Sequence, residues 1–504
     1  MNINAVSRIP PCVAATHENP SHMPWLLIAL VFVVAMILRQ IVALNTDVSW
    51  LLIVGERVLD GQRLYVDVIE INPPMAVLAY LPGIALARAL GLDPKLITDI
   101  LILTLAIASL AATSRILRRS AVLDNIRWVP MAIWAAAVLM ILPMHVFGQR
   151  EHIATLAFLP ALAGYALRSN RESLPLWAIL IAGIGAGITL MFKPFFAFAV
   201  ILCVVATAVR SHSWRTLFAP ENMIAGGLVT VYSVCTYVFY PEYFTVIYPL
   251  VRDTYLSWSM PASAVLANSA TVLWLCAVIS VFFLRRERGL DTALLVTLLA
   301  SLGFVVAFFL QRRGWAYHSY PMVALAMLAL GYAMAADAVT TTIPRRFNLA
   351  GMLVMAAIFA SGSMWFNTNV TIGPIDGTVA SLGPRPKILM LSGEAAIGHP
   401  LVRTLNGVWV SRQENLWVRE FVRLTRENGP IDPQTDAKLD AYLAQERTWL
   451  IEDFKRQPPD VVLIDNLRDD WGAWARSNSQ LAELLTPYTL AQTIDGIDIL
   501  RRNN

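Results

Sequence analysis

The sequence predicts an α-helical polytopic membrane protein with a small α/β domain after its last helix. Three observations predict it. Of 504 residues, 57% are hydrophobic and 15% charged, with a mean hydropathy of +0.57; a soluble protein would carry charge on about a quarter of its residues. The apolar residues come in blocks near the ~20 residues that a helix needs to cross a bilayer. Backbone groups in lipid must be satisfied within the segment, so each block reads as a helix. Beyond residue 367 the composition returns to ordinary polar content, with alternating strand and helix patterns.

Residues 1–23 are polar, with Pro10, Pro11 and Pro20, and form an N-terminal tail. The apolar run behind them ends in Leu44-Asn45-Thr46-Asp47 without a small-x-small cleavage site, so an uncleaved first helix is expected. Hydropathy places spans at 24–44, 97–117, 129–147, 153–167, 174–191, 195–209, 223–240, 265–284, 290–310, 321–339 and 349–367, about eleven helices. The stretch 75–90 is apolar but carries Pro82 and Arg88 and follows Pro73-Pro74, so it is expected to lie at the interface. The organisation expected is a tail over 1–23, a membrane domain over 24–367 with a long loop at 45–95, and an extramembrane α/β domain over 368–504. In that last part, 387–391 and 460–465 read as strands, 415–427 and 433–455 as helices, and 488–501 as a hairpin broken at Asp495-Gly496. Asn369-Val370-Thr371 matches a glycosylation sequon, a pattern short enough to arise by chance.

Arginines set the orientation. Arg118-Arg119 with Arg127, Arg168 with Arg171, Arg210 with Arg215, Arg285-Arg286 with Arg288, and Arg345-Arg346 all fall in alternate loops. The positive-inside bias makes those loops cytoplasmic, together with the N-terminus. Residues 368–504 are then outside, in the periplasm of a bacterial inner membrane. The net charge of +4 is spread in short clusters between apolar blocks, which gives no nucleic-acid surface. The four cysteines, at 12, 203, 235 and 276, have neither zinc-site nor disulfide spacing.

The outward loops hold the candidate chemistry. Asp47 could take the proton of an attacking hydroxyl, or simply cap the helix that follows. Glu70, before Asn72-Pro73-Pro74, is a second acid or a solvated loop residue. Arg150, Glu151 and His152 crowd between two helices joined by almost no loop, where charges near lipid must be paired or face a cavity. They read as a phosphate-binding cation beside a sugar- or metal-binding acid, or as a tight-turn ion pair. Lys193, with no acid beside it in sequence, is the phosphate-binding candidate, with snorkelling to headgroups as the alternative. Arg312 and Arg313 offer donor forks suited to phosphate oxygens. Tyr317 and His318 beside them are ligand contacts or interfacial anchors.

This layout resembles the membrane glycosyltransferases of the GT-C class, relatives of the protein O-mannosyltransferases and lipid A aminoarabinose transferases. The resemblance rests on Asn45-Thr46-Asp47-Val48-Ser49-Trp50 after the first helix, Gly61-Gln62-Arg63-Leu64-Tyr65-Val66-Asp67, Asn72-Pro73-Pro74, and a C-terminal domain outside. It covers roughly residues 24–367 and departs from the mannosyltransferases at Asp47, which is followed by valine where they have a second acid. It implies a polyprenyl-phosphate-linked sugar as donor, entering from the membrane lipids, and a glycan, lipid or protein acceptor. Asp47 would activate the acceptor hydroxyl. Lys193, Arg150, Arg312, Arg313 and His318 would hold the donor phosphate. Glu70, Glu151 and Tyr317 would meet sugar or acceptor, and Glu70 or Glu151 could instead hold a divalent cation. A flippase of lipid-linked or anionic substrates would use the same cations, but calls for broken helices at mid-membrane. A polysaccharide polymerase or ligase differs mainly in lacking the Asp47 loop.

Overall fold

The computed structural model describes residues 23–120, 126–340, 345–369 and 374–503. The N-terminal tail and positions 370 and 371 of the sequon lie outside these. The first helix, α1 (Met23–Ile41), gives way to α2 (Thr46–Leu59) through a bend of 85°. Asn45 makes the bend possible: its backbone is extended and its side chain accepts from Val48 N at 3.3 Å, capping α2. α2 reads as amphipathic, yet Val48–Gly55 are all buried, because a second layer of protein covers it. The apolar stretch 75–90 is two short helices, α3 (Met75–Leu78) and α4 (Leu81–Leu90), with Gly91 in the left-handed conformation that stops the second (φ 65°).

The bundle follows as α5 (Pro94–Leu117), α6 (Trp128–Met140), α7 (Arg150–Ser169), α8 (Leu176–Phe192), α9 (Ala197–Ser211) and α10 (Pro220–Phe239). Two short helices, α11 (Tyr248–Asp253) and α12 (Ala262–Leu266), precede α13 (Ser269–Arg285), α14 (Thr292–Gln311), α15 (Ala316–Thr340) and α16 (Arg345–Phe366). Every expected span has a helix. Among the described residues six are both long and apolar enough to cross a bilayer, and the bent α1–α2 pair is a seventh candidate. α6, α8 and α13 are apolar but shorter. The chain is a multi-pass membrane protein. Close helix approach depends on small residues: a Cβ on Gly185 would sit 2.1 Å from Ala157 O, and one on Gly303 2.4 Å from Ala199 Cα. The glycines of α8 therefore serve packing, since that helix runs unbroken through Gly183, Gly185 and Gly187.

The loops that carry Arg168, Arg171 and Arg210 meet at one end of the bundle. There Arg168 pairs with Glu221 (3.0 Å), Arg171 donates to Ser211 O and Arg210 to Thr292. The C-terminal domain occupies the opposite end. It runs α17 (Ile375–Ser381), β1 (Lys387–Leu391), α18 (Leu401–Thr404), β2 (Val408–Trp409), α19 (Trp417–Glu427), α20 (Pro433–Arg456) and β3 (Val461–Asp465). α21 (Trp471–Ser477), α22 (Ser479–Leu485), β4 (Tyr488–Ile494) and β5 (Ile497–Arg502) complete it. The sheet order is β2-β1-β3-β5-β4, parallel through β2, β1 and β3 and antiparallel beyond. The hairpin expected at 488–501 is β4–β5, turning on Asp495 and Gly496, both at positive φ.

Polar contacts pin this domain to the bundle. Arg57 donates to Ser411 O (2.8 Å) and Trp409 O, and Arg403 grips both oxygens of Glu56 at 2.9 and 3.0 Å. Farther along, Asp253 binds Lys438 and accepts from Tyr442 (3.0 Å).

Candidate active site

A cavity of about 500 Å³ lies between the helix ends and the C-terminal domain. Asp47 enters it from the first turn of α2, where a helix N-terminus favours negative charge. Since Asn45 holds the cap, the Asp47 carboxylate is left to accept from Arg150 Nη2 at 3.0 Å. Arg150 opens α7 and is 4% exposed. Its Nε and Nη1 have no hydrogen-bond partner among the described residues, although it lines the cavity. A buried guanidinium with two idle donors is costly unless something anionic meets it.

Glu151 and His152 part company with Arg150 because successive helical side chains point about 100° apart. Glu151 is fully buried and accepts from Lys193 Nζ. His152 turns into the bundle, with Nδ1 facing Gly148 N and Nε2 on Leu139 O. Lys193 sits at the extended break after α8, and its ammonium also reaches His318 Nε2 (2.9 Å) and Gln311 Oε1 (3.3 Å). The sequence suggested a lysine with no acid nearby; the fold supplies Glu151 from another helix. The Tyr317 ring stands 5.7 Å from the same ammonium. With Nε2 of His318 facing that donor, its ring proton belongs on Nδ1, which has no partner among the described residues.

Glu70 is 2% exposed and fastens the long loop: one oxygen accepts from Trp50 Nε1 (2.7 Å), the other from Asn72 N (2.9 Å). Burial pushes its carboxyl above the usual range, against the pull of Arg150 and these donors.

The arginine pair is placed differently. Arg312 ends α14 in the left-handed conformation (φ 44°), and its exposed side chain is outside the cavity lining. Arg313 turns to Trp258 O and Tyr255 O, with its guanidinium 4.1 Å from the centre of the Tyr255 ring. The left-handed turn at Arg312 separates the two, and neither joins Asp47, Arg150, Lys193, Tyr317 and His318 in the cavity. Among the described residues, no three His, Cys, Asp or Glu side chains converge as a metal cluster.

The C-terminal domain adds residues that sequence reasoning missed. Glu394, Glu414, Asn415 and Trp417 line the cavity from above. Glu414 Oε1 has no partner among the described residues, and burial together with the charges of Asp47 and Glu70 holds its carboxyl well above the usual range. The mixed Glu414-Asn415 stretch before α19 carries no motif that could have announced it.

No family model and no curated protein matches the chain. Among solved structures it is similar to ArnT from Cupriavidus metallidurans bound to undecaprenyl phosphate, with a TM-score of 0.58 and 13% identity over 96% of this chain and 98% of that one. The apo state of the same protein gives a TM-score of 0.56 and 12% identity over 94% and 97%. At these identities the likeness is one of fold. The chain shares that protein's fold over nearly its whole length, in keeping with the resemblance to the GT-C class drawn from the long loop and the C-terminal domain.

Proposed function

We propose that the chain is a membrane glycosyltransferase that moves a sugar from a polyprenyl-phosphate donor to an acceptor hydroxyl, at the end of the bundle that carries the C-terminal domain. The observation that carries this reading is one cavity joining an uncapped carboxylate, Asp47, to Arg150 with its two idle donors and to Lys193. A protein of the same fold has been solved with undecaprenyl phosphate bound, which supports the donor class.

In this reading Asp47 accepts the proton of the acceptor hydroxyl as its oxygen bonds to the anomeric carbon. The bond from that carbon to the phosphate oxygen breaks, and the electron pair leaves with the polyprenyl phosphate. Arg150 and Lys193 stabilise the charge that develops there, donors fixed before the reaction begins. Tyr317, Glu414 and Glu70 border the space for the sugar, and His318 offers Nδ1–H. Arg312 and Arg313 take no part in holding the phosphate. The arginine-rich loops at the far end support a cytoplasmic N-terminus, with residues 368–504 in the periplasm of a bacterial inner membrane.

The test uses purified protein in lipid with a panel of polyprenyl-phosphate sugars, comparing wild type with Asp47→Asn at equal folded amounts. Loss of a general base is expected to slow transfer by about 100-fold or more. Equal consumption of a donor by both proteins would remove Asp47 from the chemistry. Binding and crossing of a donor without consumption would replace transfer with transport.

A further inference from the structure

A second cavity, of about 1110 Å³, lies farther along α2, lined by Ile53, Glu56 and Arg57 where the first meets Asp47, Trp50 and Leu51. Its floor is the end of α1 with the start of α5, and its roof is the segment from Pro400 to Trp409 in the C-terminal domain. Six arginine and lysine residues line it against four aspartates and glutamates. Most of these cations are already bonded. Arg88 pairs with Asp60 (2.9 Å), Arg403 with Glu56 (2.9 Å), and Lys95 with Asp99 (2.9 Å), while Arg57 donates to the two carbonyls that hold the seam.

Arg39 is the exception. It lies in the last turn of α1 and is 6% exposed, and Nε and Nη2 of its guanidinium have no partner among the described residues. One face of the group covers the Phe147 ring at 4.6 Å, which leaves its edge for hydrogen bonding. Asp99, the carboxylate nearby, is occupied by Lys95, whose ammonium also binds Arg39 O (2.9 Å). Arg385, exposed at the rim, adds a second cation that forms no ion pair among the described residues. A buried guanidinium whose neighbouring carboxylate is taken by a lysine is costly, and its planar fork matches the oxygens of a phosphate.

We propose that this cavity is a second anion site, separate from the one containing Asp47, in which Arg39 binds a phosphate ester and Arg385 helps draw it in. The cavity borders lipid-facing surface: Ile41 on α1 is 74% exposed and Leu90 on α4 is 56% exposed. A phosphate reaches it as the headgroup of an anionic lipid or as a free anion from solution.

The experiment measures binding to the full chain in nanodiscs of zwitterionic lipid, independently of any transferase activity. One arm adds phosphatidic acid as a minor component and counts retained molecules by native mass spectrometry. The other titrates inorganic phosphate and follows the thermal midpoint. The proteins are wild type, Arg39→Gln, Arg39→Lys, Arg385→Gln and, as a control in the first cavity, Lys193→Gln. Losing charge-assisted bonds from Arg39 is expected to weaken binding about tenfold or more. Arg39→Lys should keep part of the affinity, and Arg385→Gln, an exposed change with no demand on folding, should lower it by a smaller factor. The second-site effect should persist in the Lys193→Gln background. A response confined to phosphatidic acid assigns a lipid headgroup, and one shared with inorganic phosphate assigns a free anion. Unchanged binding of both probes in Arg39→Gln and Arg385→Gln overturns the proposal.

Discussion

The Glu151–Lys193 pair lends itself to a double-mutant cycle. Glu151 is fully buried, and the side chain of Lys193 is 12% exposed. Two unit charges in contact at ~3 Å, in an effective permittivity of ~20, attract by about 5–6 kcal/mol, most of it offset by their desolvation. Removing Glu151 leaves the ammonium buried without its carboxylate, and removing Lys193 leaves Glu151 only the more distant charge of Arg150. Glu151→Gln alone and Lys193→Met alone are therefore each expected to cost about 3–5 kcal/mol. Gln311 and His318 soften the first loss little, since they are uncharged contacts of the ammonium left behind. The double variant removes both charges and should cost much less than the two singles together, with a coupling of about 3 kcal/mol. The assay is equilibrium unfolding in mixed detergent micelles, followed by circular dichroism. Costs that add to within about 0.5 kcal/mol would refute the reasoning, because groups that do not interact are additive to that degree.

Three further outcomes are expected. Burial, with Arg57 and Arg403 nearby, pushes His399 down to about 3, so the folded chain keeps a neutral ring that the unfolded chain protonates below about 6.5. Stability should fall as pH drops from 6.5 towards 3, and His399→Phe, filling the space between Trp50 and Trp409, should flatten that slope in thermal melts recorded against pH. Glu414→Ala should reduce transfer by about tenfold, the loss of one hydrogen bond to the sugar, while leaving the melting of the C-terminal domain unchanged; steady-state kinetics on the donor consumed by wild type decide it. Gly303→Ala would force a methyl group against the α9 backbone at Ala199, an overpacking expected to cost about 1–3 kcal/mol in the same unfolding assay.

The helices were legible because each apolar block is contiguous, and the arginine loops could be sorted because they alternate along the chain. The candidate site was legible where chemistry is dense in sequence, as at Asp47 and Arg150, which the fold brings to one cavity. Which member of the cluster Arg150-Glu151-His152 meets which partner was not legible, because it depends on the helical rotation that sends Arg150 to Asp47, Glu151 to Lys193 and His152 to Leu139 O. The parting of the adjacent arginines 312 and 313 was not legible for a related reason. A left-handed residue between a helix end and a loop decides their directions, and nothing in the two letters marks it. The place of Glu414 was invisible, since it arises from a cavity shared with Asp47 and Glu70, more than 300 positions earlier in the chain. β2, with two residues, is too short to leave a periodic signal.

The bend between α1 and α2 works like a builder's square. The upright arm fixes height and the level arm fixes heading, and Asp47 stands near the corner. Each residue added to the upright would lift that corner by about 1.5 Å and swing it by about 100°, whereas a full turn would raise it by about 5.4 Å with its heading nearly kept. The length of one ordinary apolar helix therefore sets the depth at which this carboxylate meets whatever lies at the edge of the bilayer, and cutting or extending that helix would retune the site without touching a single residue inside it.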